Sequence, residues 1–113
     1  MLTFYRYISH PDEVNQVQQE RRVQSTNPRT GRATWYTTAR YDDPLVAQRD
    51  LALDRAPTHR VGPIPADQMP PFDRGPRDAA TLGGRPGGAL EVRTTFPVWL
   101  CGLWDFGTTR WLL

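Results

Sequence analysis

Ten of the 24 residues from 65 to 88 are proline or glycine, and that stretch constrains the fold more than any other feature. Proline removes a backbone donor and fixes φ, while glycine gives up the most freedom when ordered. Neither a long helix nor a central strand can run through such a segment. Loops this long inside a compact domain are uncommon, and they are usually functional or disordered. The segment also carries Asp67, Asp73, Arg74, Arg77, Asp78 and Arg85. It divides a first part in which strand and helix signals alternate from a second part that reads only as strand.

In the first part, residues 2–8 (LTFYRYI) alternate as a strand. Leu2, Phe4, Arg6 and Ile8 share one face, and Thr3, Tyr5 and Tyr7 the other. Ser9 with Asp12 resembles a capping box, and Pro11 suits a first helical turn. A helix is therefore expected to about 19–22, with Val14 and Val17 inward. Residues 25–32 (STNPRTGR) read as a turn, and 33–38 (ATWYTT) as a second strand. Asp43 and Pro44 are a cap and a first-turn proline for a second helix over roughly 44–54. It should turn Leu45, Leu51 and Ala52 to the core and end before Pro57. Residues 59–64 suit a strand that Pro63 confines to an edge or cuts short.

Beyond the loop, strands are expected at 89–95 and 97–106. The second is continuously apolar and therefore central, and the apolar tail TTRWLL adds a last strand. The order β-α-β-α followed by strands predicts an α+β fold. Two short helices would pack on a mostly antiparallel, split β-sheet, with 1–113 a single domain.

Composition narrows the function. Leu, Ile, Val and Phe make up 23 of 113 residues, a sparse core that the 12 aromatics (four each of Trp, Tyr and Phe) reinforce. All 14 basic residues are arginine, each a permanent, planar donor suited to phosphate or carboxylate. They are dispersed, and the net charge of +2 argues against a protein whose main work is gripping nucleic acid. No run of 18 apolar residues is present to span a membrane, and the start lacks a secretory pattern, so the expected location is cytoplasmic. The single cysteine, Cys101, excludes an internal disulfide framework. His10 and His59 have no partner at metal-ligand spacing, so no metal is expected.

Three places could carry chemistry. Arg6 lies on an otherwise apolar face and needs an anion: an internal carboxylate, solvent at a strand end, or a bound phosphate or ribose in a cleft. Glu91, one of three glutamates, sits mid-strand just after Pro86–Gly87–Gly88. Either it faces outward beside Arg93, or it is a fixed carboxylate that stabilises an oxocarbenium-like sugar. Thr34, Trp35, Tyr36, Thr37 and Thr38 make a good strand, or hydroxyls and flat rings that hold a ribose and a base.

YRYIS with a following glutamate-bearing helix, ATWYTT, Tyr41 with AQRDLAL, P-x-x-R-V at 57–61, and PGGALEV with T-x-F-P-V occur in that order. Together they resemble the Arg–Ser–Glu branch of ADP-ribosyltransferases, in particular TreTu-type bacterial toxin domains, over about residues 4–98. The resemblance implies a glycosyltransferase-class enzyme that splits NAD and moves ADP-ribose to a protein. Elongation factor Tu is the acceptor of the TreTu type, and a cognate immunity protein a companion. It casts Arg6 as the NAD-positioning arginine, with Thr37, and Thr34 and Thr38 near it, as the second-strand motif. Glu91 becomes the catalytic glutamate, and Tyr36 or Tyr41 the ring that stacks on nicotinamide. This chain carries Thr-Trp-Tyr-Thr where many members have Ser-Thr-Ser. It has Ala89 where arginine-modifying members have Glu or Gln, which leaves the acceptor open, water included.

Two rival classes are a binding module (an antitoxin, immunity protein or phage adaptor) anchored by Trp99, Trp104 and Trp111, and a small nucleic-acid binder or ribonuclease toxin.

Overall fold

The computed structural model describes residues 2–23, 34–72, 74–78, 90–100 and 102–113, with 74–78 and Leu90 described through their backbone. The expected turn at 25–32, most of the Gly-rich end of the long loop, Ala89 and Cys101 lie outside the described residues. The elements run β1 (Thr3–Ile8), α1 (Pro11–Glu20), β2 (Arg22–Val23), β3 (Thr34–Thr37), α2 (Pro44–Asp50) and β4 (His59–Pro65). A 3-10 turn (Ala66–Gln68) follows, then β5 (Arg74–Asp78), β6 (Leu90–Thr94), β7 (Val98–Trp99), β8 (Leu103–Asp105) and β9 (Arg110–Trp111). Seven strands lie in the order β5-β6-β3-β1-β4-β8-β9, and β2 and β7 form a separate ribbon. The fold is α+β with antiparallel pairing between neighbouring strands.

One helix covers each face. On the first, Val14 and Val17 of α1 join Phe4, Ile8, Tyr36, Val61, Ile64, Val92, Val98 and Leu103 in the main core. Full burial of an aliphatic side chain such as Val17 or Ile64 stabilises by roughly 1.5–3 kcal/mol. On the second, Ala47 of α2 meets Tyr5 and Tyr7, with Tyr41, Leu51, Leu53 and Phe106 around them. The alternation along β1 thus sends Phe4 and Ile8 one way and the tyrosines the other, as its sequence predicts. Among the described residues no helix is long and apolar enough to cross a membrane.

Several expectations are corrected. The cap of α1 is His10, which makes no side-chain cap bond, so Ser9 and Asp12 form no capping box there. Asp43 does cap α2, its Oδ1 accepting from the Leu45 N–H at 2.9 Å. That helix stops at Asp50 rather than 54, because Ala52 takes a left-handed conformation (φ 55°). Leu45 is 66% exposed; the small Ala47 is what fits against the tyrosines.

β4 lies between β1 and β8 rather than at an edge. Pro63 is tolerated there because β4 carries one extra residue between the pairs Phe4↔Ile64 and Arg6↔Val61, so a ladder donor is not required of it. Gly62 is needed at this bulge. Its φ is +118°, and a Cβ would stand 2.7 Å from the Phe4 carbonyl. The apolar run 97–106 is two strands in two sheets, β7 with β2 and β8 with β4, the chain changing sheets between them. Within 65–88, the 3-10 turn and the edge strand β5 replace part of the expected structureless loop. The tail does add a last strand, β9.

The sheet is split at one seam. β1 and β3 are joined at Tyr5↔Thr37, whereas β3 and β6 pair from Thr34↔Thr94 to Thr37↔Glu91. The halves β5-β6-β3 and β1-β4-β8-β9 therefore meet at a narrow hinge, and the cleft opens beside it.

Candidate active site

Register places the site residues. Thr37 lies opposite Tyr5 on one side and Glu91 on the other. Residues directly opposite in an antiparallel sheet point to the same face, so Tyr5, Thr37 and Glu91 form one row on the α2 side. A cleft of about 300 Å³, counted out to its mouth, sits over this row. Tyr5, Arg6, Tyr7, Trp35, Tyr36, Thr37, Leu51, Leu53 and Glu91 line it.

Arg6 reaches the cleft by a different route. Its neighbours in the pleat point it toward α1, where its guanidinium takes Glu13 in a two-pronged pair. Nη2 donates to Oε1 at 2.7 Å and to Oε2 at 2.8 Å, and Nε to Oε2 at 3.3 Å. Its remaining nitrogen, Nη1, donates to the Trp35 carbonyl at 3.3 Å. The head group thus links β1 to β3 beyond the point where their ladder stops, and so borders the seam. Burial works against its charge, but the Glu13 carboxylate outweighs that and holds the arginine more firmly protonated than usual. The internal-carboxylate reading of Arg6 is realised, and Glu13, buried on α1, is its partner. An apolar strand face interrupted by arginine, with a glutamate on the next helix, was the signal for this pair.

Thr37 is buried, and its Oγ1 accepts from the Ala39 N–H at 3.1 Å, which leaves the hydroxyl proton for an acceptor in the cleft. Glu91 is partly exposed at the cleft. Arg93, two residues along, stacks at 5.8 Å over Trp35, its partner across β3 and β6.

The other candidates separate. Thr34 is buried with its Oγ1 unbonded, and it is not among the cleft-lining residues. Tyr36 borders the cleft but is 1% exposed, and its side chain belongs to the α1-side core, which leaves no open ring face for stacking. Burial pushes its hydroxyl up to about 12, against the pull of Arg6. Tyr41 packs edge-on against Tyr7 at 5.6 Å, behind the cleft wall rather than in it. Tyr5, Tyr7 and Trp35 are the rings of the cleft instead. The tyrosines were legible as the second face of β1, but nothing in the sequence marked that face as open.

A second buried arginine adjoins the same face. Arg60 is 2% exposed, with its Cζ over the rings of Tyr5 (5.8 Å), Trp104 (5.7 Å), Phe106 (5.8 Å) and Trp111 (5.9 Å). Nη1 donates to the Tyr41 carbonyl at 2.8 Å and to Asp42 Oδ1 at 3.1 Å. Asp42 is held below the usual carboxylate range by that hydrogen bond first, and by Arg40. Trp104 and Trp111 are therefore walls of an arginine cage; of the three tryptophans expected as anchors, Trp99 projects most, at 63% exposure. His59 lies between the Thr58 hydroxyl (2.7 Å) and Asp105 (3.9 Å), away from the residues that line the cleft. Among the described residues no group of three His, Cys, Asp or Glu side chains is placed to hold a metal ion.

No family model, curated protein or solved structure matches the chain.

Proposed function

We propose that the chain cleaves NAD at its nicotinamide–ribose bond and passes ADP-ribose to an acceptor, in the manner of ADP-ribosyltransferase toxins. The observation that carries this is that Thr37 and Glu91 from the α2 side and Arg6 from the α1 side all border one cleft at the sheet's seam. The sequence resemblance supplies the same three residues in the same order.

The chemistry suits these groups. When the C1′–N bond breaks, its electron pair leaves with nicotinamide and neutralises the pyridinium, while positive charge builds on the ribose. A fixed carboxylate at Glu91 favours that charge; one preorganised group of this kind is worth about 3–4 kcal/mol. The acceptor's nucleophile then bonds to C1′ and releases its proton. Thr37 donates to a ribose oxygen, and Trp35, partly exposed at the cleft, supplies a flat face for the nicotinamide ring. Arg6, neutralised by Glu13, fixes the edge of the cleft rather than clamping a phosphate. The roughly 300 Å³ of the cleft includes open solvent at its mouth, so it would take in only the nicotinamide end, with the rest of NAD outside. The acceptor is a protein, elongation factor Tu on the resemblance, or water.

The test is nicotinamide release from NAD by wild type and Glu91→Gln, both checked for folding. Turnover that falls by about 10²–10³-fold in the variant supports the reading; a folded wild type without turnover overturns it. A second reading, a protein-binding module, is favoured by the exposure of Trp99 with Phe96 on and beside the outer ribbon. It predicts no turnover and a Trp99-dependent complex.

A further inference from the structure

Arg60 stands out in the molecule as a charge buried among rings that the proposed chemistry does not use. We infer that Arg60 is the positioning residue of the cleft, fixing its Tyr5 floor and, behind that floor, the connection from β3 to α2 that follows Thr37; this rests on the NAD-cleavage reading for its kinetic consequence.

Tyr5 is held from two sides. Its ring lies over Gly62, where a Cβ would come within 3.1 Å of Cδ1, and the Arg60 guanidinium lies over the same ring at 5.8 Å. Tyr5 in turn pairs with Thr37, so a shift of its ring disturbs the row that ends at Glu91. The connection is also tied at consecutive points. Thr37 Oγ1 holds the Ala39 N–H, and the Tyr7 hydroxyl donates to the Ala39 carbonyl (2.9 Å) and accepts from the Tyr41 N–H (2.7 Å). Arg60 completes the set at the Tyr41 carbonyl and Asp42. Only a planar guanidinium can stack on rings and reach a carbonyl and a carboxylate at once; an ammonium offers a point charge without a stacking plane. Arg60 does not line the cleft, so it acts through Tyr5 and residues 39–42.

Arg60→Lys and Arg60→Met, confirmed folded by circular dichroism, are compared with wild type in NAD cleavage and in the NMR signals of the Tyr5 ring and the Thr37 amide. The expected result is a loss in kcat/KM on the order of 10–100-fold in both variants, as for misplacement by about an ångström. KM should carry most of it, with displaced Tyr5 and Thr37 signals. Unchanged kcat and KM below the melting temperature, or unmoved Tyr5 and Thr37 signals, overturn the inference. A wild type that fails to cleave NAD defeats the enzymatic reading alone, since the NMR arm still decides whether Arg60 shapes the cleft. If neither variant folds, Asp42→Asn with the same two readouts replaces them: displaced Tyr41 and Thr37 signals support the inference, and unmoved ones overturn it.

Discussion

The two faces of the sheet solve the same problem, a buried arginine, in opposite ways. On the α1 side, Arg6 meets a buried carboxylate that satisfies it from two directions, beside the main apolar core. On the α2 side, Arg60 has four rings, one carbonyl and an aspartate that is 80% exposed. The first arrangement seals a core. The second packs rings around a guanidinium, and the cleft opens beside them. A charge neutralised by a buried partner is structural; a charge held by rings organises a surface.

That contrast can be broken by substitution. The largest effect should come from Glu13→Gln, which removes the charge facing Arg6 inside the sealed face. Breaking a buried pair on one side costs about 3 kcal/mol or more, so the urea midpoint should fall well below that of wild type. A midpoint close to wild type would show that Arg6 is solvated rather than sealed.

Next in size is an alkaline effect from the same core. Tyr36 ionises near 12 in the folded chain instead of its ordinary value of 10.0, chiefly through burial. Its contribution is therefore full below pH 10 and lost as pH rises from about 10 to 12. Two pH units correspond to roughly 2–3 kcal/mol. Tyr36→Phe should flatten the decline of stability over that range in pH-dependent urea melts. The buried Tyr36 hydroxyl has only the Thr34 side chain beside it, so the substitution should cost little at pH 7. An unchanged alkaline profile would place the tyrosine outside the core.

The smallest effect is expected from Asp42→Asn. The Arg60 partner is mostly solvated, and its loss leaves the guanidinium on the Tyr41 carbonyl and among its rings, so the urea midpoint should fall less than for Glu13→Gln. A loss as large as that of Glu13→Gln would erase the distinction between the two faces.

How much of this the sequence carried differs from element to element. The alternation of residues 2–8, the cap at Asp43 and the strand at 33–38 are local patterns, and each appears where the local rule puts it. The burial of β4 was hidden because Pro63 signals an edge, and only the partner strand shows that a bulge absorbs it. The division of 97–106 between two sheets was hidden for a related reason, since an apolar run says that a segment is buried but not against what. For the site, Arg6 and Glu91 were legible as charges out of keeping with their surroundings, whereas Thr37 was singled out only by the resemblance. Tyr5, Tyr7, Leu51 and Leu53 were not, because they look like core and only the seam between β1 and β3 makes them a cleft. Arg60 was missed because its cage comes from β1, β8, β9 and the turn between the last two, which no local pattern joins.

The central claim is that the α2-side cleft, not the outer ribbon, is where NAD binds. Its most direct test is an NMR titration of the wild-type chain with NAD, followed at assigned backbone amides. Shifts at Tyr5, Thr37, Leu51 and Leu53, with Val14, Val17 and Trp99 still, are the predicted result. Saturating NAD that moves none of the cleft amides, or moves those around Trp99 instead, would contradict it.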